Sequence, residues 1–153
     1  MSGAADLRRR ALGFLARREH TRLELERKLA PHAGSDDDIA GLLDDFERRG
    51  WLSERRTVEQ VIDARRSRFG SRRISAELRS KGVSDGQVEQ AAERLKHGDL
   101  DAARAVWAKK FGTPPRNPRE RARQVRFLQG RGFALETALQ VVGGAGGDEN
   151  RDN

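Results

Sequence analysis

The sequence predicts an all-α protein, an elongated array of three tandem three-helix repeats. Strand signals are weak, because the chain has no tyrosine and no run of alternating Val and Ile bounded by turn residues. Helix caps and helix-ending glycines, in contrast, recur along its length. Leu29, Leu78 and Leu128, each near the end of a predicted second helix, lie 49 and 50 residues apart. Such a period indicates a repeat in which each unit buries part of its apolar surface against its neighbour.

The first repeat is predicted to span residues 6–52. Thr21 and Glu24 form a capping-box pattern at the start of its second helix, since each side chain can accept a backbone N–H. Asp36–Asp38 could suggest a cation site, but after Ser35 they are expected to cap the third helix from its first turn, where carboxylates favour the positive end of the helix dipole. The apolar residues of this third helix follow helical spacing: Ile39, Leu42, Leu43 and Phe46.

The second and third repeats are predicted to span residues 53–98 and 99–142. Ser84 and Gln87 repeat the capping pattern, while Asn117 and Pro118 suit the N-cap and N1 positions of another helix. The apolar spacing of the two third helices is carried by Val88, Ala91, Ala92 and Leu95, and by Ala138, Val141 and Val142. Nine short helices are therefore predicted, with glycines at helix ends at Gly50, Gly70, Gly82, Gly98, Gly112 and Gly130.

Two segments of the last repeat are predicted to be non-helical. Thr113–Arg116, which contains two prolines, is expected to form a rigid turn before the second helix of the repeat. Residues 143–153 are glycine-rich and then polar, and are expected to form a flexible tail. Their glycines lack the Lys-Ser/Thr that follows a phosphate-binding loop.

Composition excludes several classes of protein. With 153 residues the chain is too short for a large multidomain enzyme, and without cysteine it has no disulfide, zinc knuckle or thiol nucleophile. Its longest apolar stretch, residues 11–16, is far shorter than the ~18 residues of a membrane span. Met1–Asp6 lack the apolar region of a signal peptide. We therefore expect a cytoplasmic protein that does not enter membranes.

No catalytic or metal-binding pattern is found in the sequence. His20, His32 and His97 have no nucleophile or metal-ligand spacing around them, and we expect them at the surface or at helix ends. Trp51 and Trp107 could stack on bases, but their apolar neighbours favour packing between helices. The sequence thus predicts a binding protein that is not an enzyme and that uses no cofactor or metal.

Charge points to a polyanionic partner. The net charge is +7, and the excess rises along the chain from +1 in residues 1–57 to +3 in 58–98 and +5 in 99–142. Arginine supplies 26 of the 31 basic residues, and its planar fork suits phosphates and carboxylates. The alternative is that these arginines are solvated helix faces. The predicted binding residues are Arg65, Arg68, Arg72, Arg73, Arg79, Lys81, Lys109, Lys110, Arg119, Arg123, Arg126 and Arg131.

Three segments resemble the RecX family of bacterial recombinase regulators. Gly70-Ser71-Arg72-Arg73-Ile74-Ser75-Ala76-Glu77-Leu78, followed by Lys81-Gly82-Val83, resembles its central motif, and Gly50-Trp51-Leu52-Ser53-Glu54-Arg55-Arg56 resembles the link between its first two units. The family's last repeat is similar to Lys109-Lys110-Phe111, Arg126-Phe127-Leu128 and Arg131-Gly132-Phe133. The resemblance covers residues 10 to 142. It departs from the family at Ser53, which replaces an acid, and at Thr57, which replaces an aromatic residue.

The resemblance implies a function. RecX proteins bind along the helical groove of the RecA filament on single-stranded DNA, and they suppress its ATP hydrolysis, strand exchange and repressor cleavage. We therefore expect a monomeric regulator of DNA recombination, DNA repair and the SOS response, whose contact with single-stranded DNA is weak. Two alternatives remain open: a direct nucleic-acid-binding protein of helix-turn-helix-like type, and a scaffold for another helical partner.

Overall fold

The computed structural model describes residues 3–146, and this part of the chain is helical without any strand. It therefore confirms the all-α prediction. No helix in the described part is long and apolar enough to cross a membrane. The elements, in chain order, are α1 (Gly3–Arg17), α2 (Arg22–Leu29), a 3₁₀ turn (Ala30–His32), α3 (Ile39–Arg48), α4 (Glu54–Arg65), α5 (Ser71–Ser80), α6 (Asp85–Lys110), α7 (Pro118–Gly130) and α8 (Leu135–Gly146).

The described residues form two compact units. The first unit comprises residues 3–61 and 78–85, and the second comprises residues 62–77 and 86–146. In the first unit α1, α2 and α3 enclose a core of Leu7, Ala11, Leu25, Leu29, Leu43, Phe46 and Leu52. In the second unit α6, α7 and α8 enclose Ala103, Val106, Val125, Leu128, Phe133, Ala138, Val141 and Val142. Val88, Ala91 and Leu95 of α6 are also buried, so the predicted apolar spacing is confirmed in α3, α6 and α8.

Helix starts in the first unit follow the predicted caps, with one correction. The Thr21 hydroxyl accepts the Glu24 N–H at 3.1 Å, and the Glu24 carboxylate accepts the Thr21 N–H at 3.1 Å, which confirms the capping box. Capping of α3 by the acidic run Asp36–Asp38 is confirmed for Asp38, but placing the run in the first turn was wrong, because α3 begins at Ile39. Asp38 is instead the N-cap, and Asp37 accepts the Gly34 N–H at 2.7 Å. Asp38 thus accepts the Gly41 N–H inside α3 at 2.9 Å and starts the helix, whereas Asp37 satisfies a loop N–H.

The prediction of nine short helices was wrong, because α6 runs without interruption through Gly98. This helix has 26 residues, so the described part of the chain contains eight α-helices. A mid-helix glycine costs about 1 kcal/mol relative to alanine. In α6 that cost is offset by residues on both sides of Gly98. Leu95 and Ala103 are buried in the core, and Asp99 accepts hydrogen bonds within the second unit.

The other glycine positions are confirmed in part. Gly50, Gly82 and Gly112 have positive φ and follow helices, as predicted. Gly130 is the last residue of α7, but Gly132 supplies the positive φ of that turn. Gly70 lies directly before α5 and not at the end of α4.

The predicted cap of α7 is confirmed and the predicted tail is corrected. Asn117 accepts the Glu120 N–H at 2.8 Å, and Pro118 occupies N1. Thr113–Arg116 lie in the loop before α7, where the Gln124 amide donates to the Thr113 carbonyl at 3.2 Å. A flexible tail from 143 was wrong for its first residues, because α8 extends to Gly146 and buries Val141 and Val142 just before the glycines. The rest of the predicted tail, 147–153, lies outside the described residues.

Candidate binding surface

Cations and phenylalanine rings alternate on the second unit. We call the group Phe69, Arg73, Arg131, Phe127 and Lys110 the cation–phenylalanine surface. Arg73 Cζ lies 4.2 Å from the centroid of the Phe69 ring, and Arg131 Cζ lies 5.3 Å from Phe69 and 5.0 Å from Phe127. Lys110 Nζ is 5.4 Å from the Phe127 centroid. These are cation–π distances, so each cation is held in place by a ring.

Further residues extend the cation–phenylalanine surface at both ends. Arg68 Cζ lies 5.4 Å from the Phe69 ring. The ring of Phe111 meets Phe127 edge-on, with centroids 5.4 Å apart, and Arg123 Cζ is 6.0 Å from Phe111. The α4–α5 loop, the end of α6 and the length of α7 thus all contribute to one basic region of the second unit.

A close backbone contact positions this surface. The Gly70 N–H donates to the Arg131 carbonyl at 2.8 Å, and the Arg72 N–H donates to the Gly132 carbonyl at 3.1 Å. A Cβ at Gly132 would lie 2.4 Å from the Arg73 Cβ, so only glycine allows this approach. The start of α5 and the α7–α8 turn are therefore locked together, with Arg73 and Arg131 brought to the same ring.

Asp99 fixes the other side of α5. Its carboxylate accepts the Ser71 N–H at 3.1 Å, the Ser71 hydroxyl at 2.5 Å and the Arg66 guanidinium at 2.7 Å. Arg66 also donates to the Leu95 carbonyl at 2.6 Å. The negative charge faces the N-terminus of α5, where the helix dipole stabilises it. Arg66 is consequently a structural cation of the second unit.

The two units differ in the proportion of their cations that carboxylates compensate. In the first unit Arg8, Arg22 and Arg56 lie 2.7–3.1 Å from the carboxylates of Asp45, Asp44 and Glu19. The hydrogen bond to Asp44 raises the pKa of Arg22 above its usual value. In the second unit, within residues 3–146, most exposed cations have no carboxylate within ion-pair distance; they are Arg68, Arg72, Arg73, Lys96, Lys109, Lys110, Arg119, Arg121, Arg123 and Arg126.

The structure places the predicted binding residues in three groups. Eight of the predicted residues are exposed cations of the second unit that have no carboxylate partner in the described part of the chain: Arg68, Arg72, Arg73, Lys109, Lys110, Arg119, Arg123 and Arg126. Arg131 joins them, half-buried between two rings. Arg65 also belongs to this unit, but it pairs with Glu77 at 3.1 Å. Arg79 and Lys81 belong to the first unit, and Lys81 lies 3.8 Å from Glu24. Burial would raise the pKa of Glu24, but hydrogen bonds from Arg18 and the Thr21 N–H hold that pKa below its usual value.

The remaining single residues are mostly structural. His20 is buried rather than at the surface, with 1% of its area exposed, although it does lie at a helix end between α1 and α2. Burial lowers its pKa, and its ring nitrogens lie 3.0 Å from the Arg18 carbonyl and 2.8 Å from Lys28 Nζ. The described residues contain no group of His, Asp and Glu that could hold a metal ion. Trp107 packs between α6 and α7, as predicted, and donates to Gln124 at 2.9 Å.

Trp51 is only partly packed. Its ring meets Phe46 of α3 edge-on, with centroids 5.6 Å apart, but 41% of its surface is exposed. Arg8 of α1 lies 5.7 Å from the indole ring. The expected packing between helices is thus present on one side of the ring.

Three members of the site were missed by sequence reasoning: Phe69, Phe127 and Asp99. The recurrence of a basic residue, Phe and Gly at 68–70 and 110–112 was a usable signal for Phe69 and for the neighbouring Phe111, but not for Phe127. Asp99 had no such signal, since a polar residue in an amphipathic helix is ordinarily exposed.

Comparisons with known proteins agree on one family. Residues 53–91 match the model for the second three-helix domain of RecX, and residues 98–142 match the model for the third. "Regulatory protein RecX" of Leptothrix cholodnii is 48% identical over 96% of this chain and 94% of its own. Its counterpart in Ralstonia nicotianae is 44% identical over 91% of this chain and 87% of its own. A crystal structure of RecX from Lactobacillus salivarius superposes with a TM-score of 0.75 at 17% identity, covering 92% of this chain and 97% of that one.

Proposed function

The chain belongs to the RecX family of regulatory proteins, and from this premise we propose that it binds the RecA filament on single-stranded DNA. The proposed outcome of binding is inhibition of three filament activities: ATP hydrolysis, strand exchange and repressor cleavage. Within this proposal the chain is a cytoplasmic monomer with repeats at 6–52, 53–98 and 99–142. The observation that supports it best is the group of uncompensated cations on the second unit.

These cations suit an anionic assembly for two physical reasons. Uncompensated exposed charges attract a polyanion over about a Debye length, roughly 8 Å at physiological salt, which speeds association. Cations already held on rings also lose less side-chain entropy when they bind, as Arg73 and Arg131 illustrate. The first unit, in which a larger share of the cations is paired with carboxylates, would contribute less to either effect.

Charge reversal on α7 provides the test. Arg119, Arg123 and Arg126 are exposed on this helix, and replacing all three with Glu changes the charge by six units without touching the core. We expect the concentration that half-inhibits RecA ATP hydrolysis on single-stranded DNA to rise at least tenfold, because attraction becomes repulsion. Circular dichroism verifies that the helix content is unchanged.

A matched control uses exposed cations of the first unit. Replacing Arg9, Arg27 and Arg55 with Glu makes the same change in net charge at sites that have no ion pair within residues 3–146. This variant should inhibit nearly as well as the unchanged protein. Full inhibition by the α7 variant, or an equal loss of inhibition in both variants, would contradict the assignment of the binding surface to the second unit.

Direct binding to nucleic acid is the second candidate, favoured by the exposed arginines of α7. Fluorescence anisotropy separates the two functions, with bare single-stranded DNA compared with the same DNA coated by RecA and a nonhydrolysable ATP analogue. At about 0.15 M salt, where distant exposed charges are screened, we expect tighter binding to the coated DNA. Equal or tighter binding to bare DNA would favour the second candidate.

A further inference from the structure

A pocket of about 280 Å³ opens beside the cation–phenylalanine surface. It lies in the second unit, where the turn after α4 meets the last turns of α6 and α7. This volume is just below the range of pockets that hold whole small-molecule ligands, so one or two side chains would fill it. The pocket is lined by Ser67, Arg68, Val106, Lys109, Lys110, Phe127 and Arg131.

The pocket lining combines an apolar part with an excess of positive charge. Val106 and Phe127 supply apolar surface, and both belong to the packed core region of the second unit. Four of the seven lining residues are cations and none is a carboxylate. A complementary ligand therefore carries an apolar group together with several negative charges.

We propose that this pocket holds an apolar side chain from an acidic peptide segment of a protein partner. The apolar side chain would contact Val106 and Phe127, while neighbouring carboxylates would meet Arg68, Lys109 and Lys110. This inference rests on the proposed function, since it specifies how the second unit contacts the protein part of the filament. A short acidic segment reaches the site without any rearrangement of the core.

Nucleic acid fits the pocket less well. Single-stranded DNA is generally held by bases that stack on aromatic faces. Two cations already lie over the Phe127 ring, with Arg131 at 5.0 Å and Lys110 at 5.4 Å, and the Phe111 ring packs edge-on against it. A stacking base would have to displace these contacts, whereas an aliphatic side chain beside Val106 would leave them in place.

The test compares three fluorescein-labelled probes by anisotropy at about 0.15 M salt. The first is a nine-residue peptide of aspartates and glutamates with a central leucine, and the second has alanine at the centre. The third is an oligothymidylate with the same number of negative charges. We expect the leucine peptide to bind at least fivefold more tightly than the alanine peptide and than the oligothymidylate.

Substitutions at two exposed positions of the pocket, Lys109 and Ser67, test the contributions of charge and of pocket volume separately. Lys109→Glu should weaken binding of the leucine peptide at least tenfold, whereas Lys96→Glu, the same change at an exposed position of α6 outside the pocket, should weaken it less than twofold. Ser67→Phe leaves the charge unchanged but occupies pocket volume. It should therefore abolish the preference for leucine over alanine.

The outcomes distinguish this inference from the proposed function. Equal affinity for the two peptides, or tighter binding of the oligothymidylate, overturns the pocket assignment. If ATPase inhibition persists in that case, the proposed function stands without the pocket. If the leucine peptide binds as expected but RecA is not inhibited, the pocket assignment survives and the proposed function fails.

Discussion

Removing the Asp99 carboxylate should be among the most damaging single substitutions in the second unit. Asp99 retains only 6% of its accessible surface and accepts three hydrogen bonds, two from Ser71 and one from Arg66. In Asp99→Ala, the Ser71 N–H, the Ser71 hydroxyl and Nη1 of Arg66 all lose their acceptor. Ser71 is buried, so its two donors cannot turn to bulk water instead.

The expected loss of stability is about 3–4 kcal/mol. Breaking a buried ion pair typically costs about 3–5 kcal/mol, and the lower end applies here because the Arg66 side chain keeps 23% exposure and its bond to the Leu95 carbonyl. Loss of a helix-start acceptor adds about 1 kcal/mol. Asp99→Asn keeps an acceptor for Ser71 and should lose about half as much, because only the charge is removed.

Urea denaturation followed by circular dichroism measures these losses. Asp101→Ala serves as the control, since Asp101 is 90% exposed and its 3.7 Å contact with Arg104 is a surface pair worth less than about 1 kcal/mol. A double-mutant cycle with Arg66→Ala should give a coupling energy above about 1 kcal/mol. A loss below 1 kcal/mol for Asp99→Ala would refute the role given to this carboxylate.

Three more substitutions test separate features. Gly132→Ala should destabilise by at least about 2 kcal/mol in thermal melts, because alanine is strained at φ +96° and its Cβ would meet the α5 backbone at 2.6 Å. Gly130→Ala, where a Cβ meets nothing within 4 Å, should be nearly neutral, and equal losses would contradict this. Burial lowers the pKa of His20, so the unfolded chain takes up the proton first; stability should be constant above about pH 6.5 and fall below it. In urea titrations at pH 7.5 and 5.5, His20→Asn should reduce the difference in unfolding free energy between the two pH values. An unchanged difference would show that His20 is not its cause. Trp107→Phe should cost about 1–2 kcal/mol by removing the donor to buried Gln124, and a neutral result would refute that bond.

The sequence predicted the fold class because its signals are local. Caps such as Thr21 and Asn117, and the apolar spacing of α3, depend on residues three or four apart, so they can be identified without knowing the fold. The continuity of α6 depends instead on tertiary contacts. Local propensity places a break at Gly98, whereas Asp99, buried against the α4–α5 loop and the start of α5, holds the helix together.

The candidate site was predictable in its charge but not in its arrangement. A count of basic residues finds the excess of positive charge in residues 58–142. It does not distinguish Arg66, which is compensated by Asp99, from Arg68, which has no such partner within residues 3–146. The contact of Arg131 with Phe69 spans 62 positions of sequence and needs the backbone junction at Gly132. Contacts of this length arise from packing, which a local pattern does not encode.

The way the second unit holds its cations argues for recognition of a shaped partner rather than loose attraction to any polyanion. Free surface lysines and arginines would attract DNA equally well, but each would lose rotamer freedom of about 2 kcal/mol when fixed. Arg131 is already fixed between two phenyl rings, and Arg73 is held by a ring and by the Gly130 carbonyl at 3.1 Å. Because the positions of these two guanidinium groups are set, their spacing can discriminate among anionic surfaces. A partner that is itself a regular helical assembly presents such a fixed spacing, whereas bare single-stranded DNA does not.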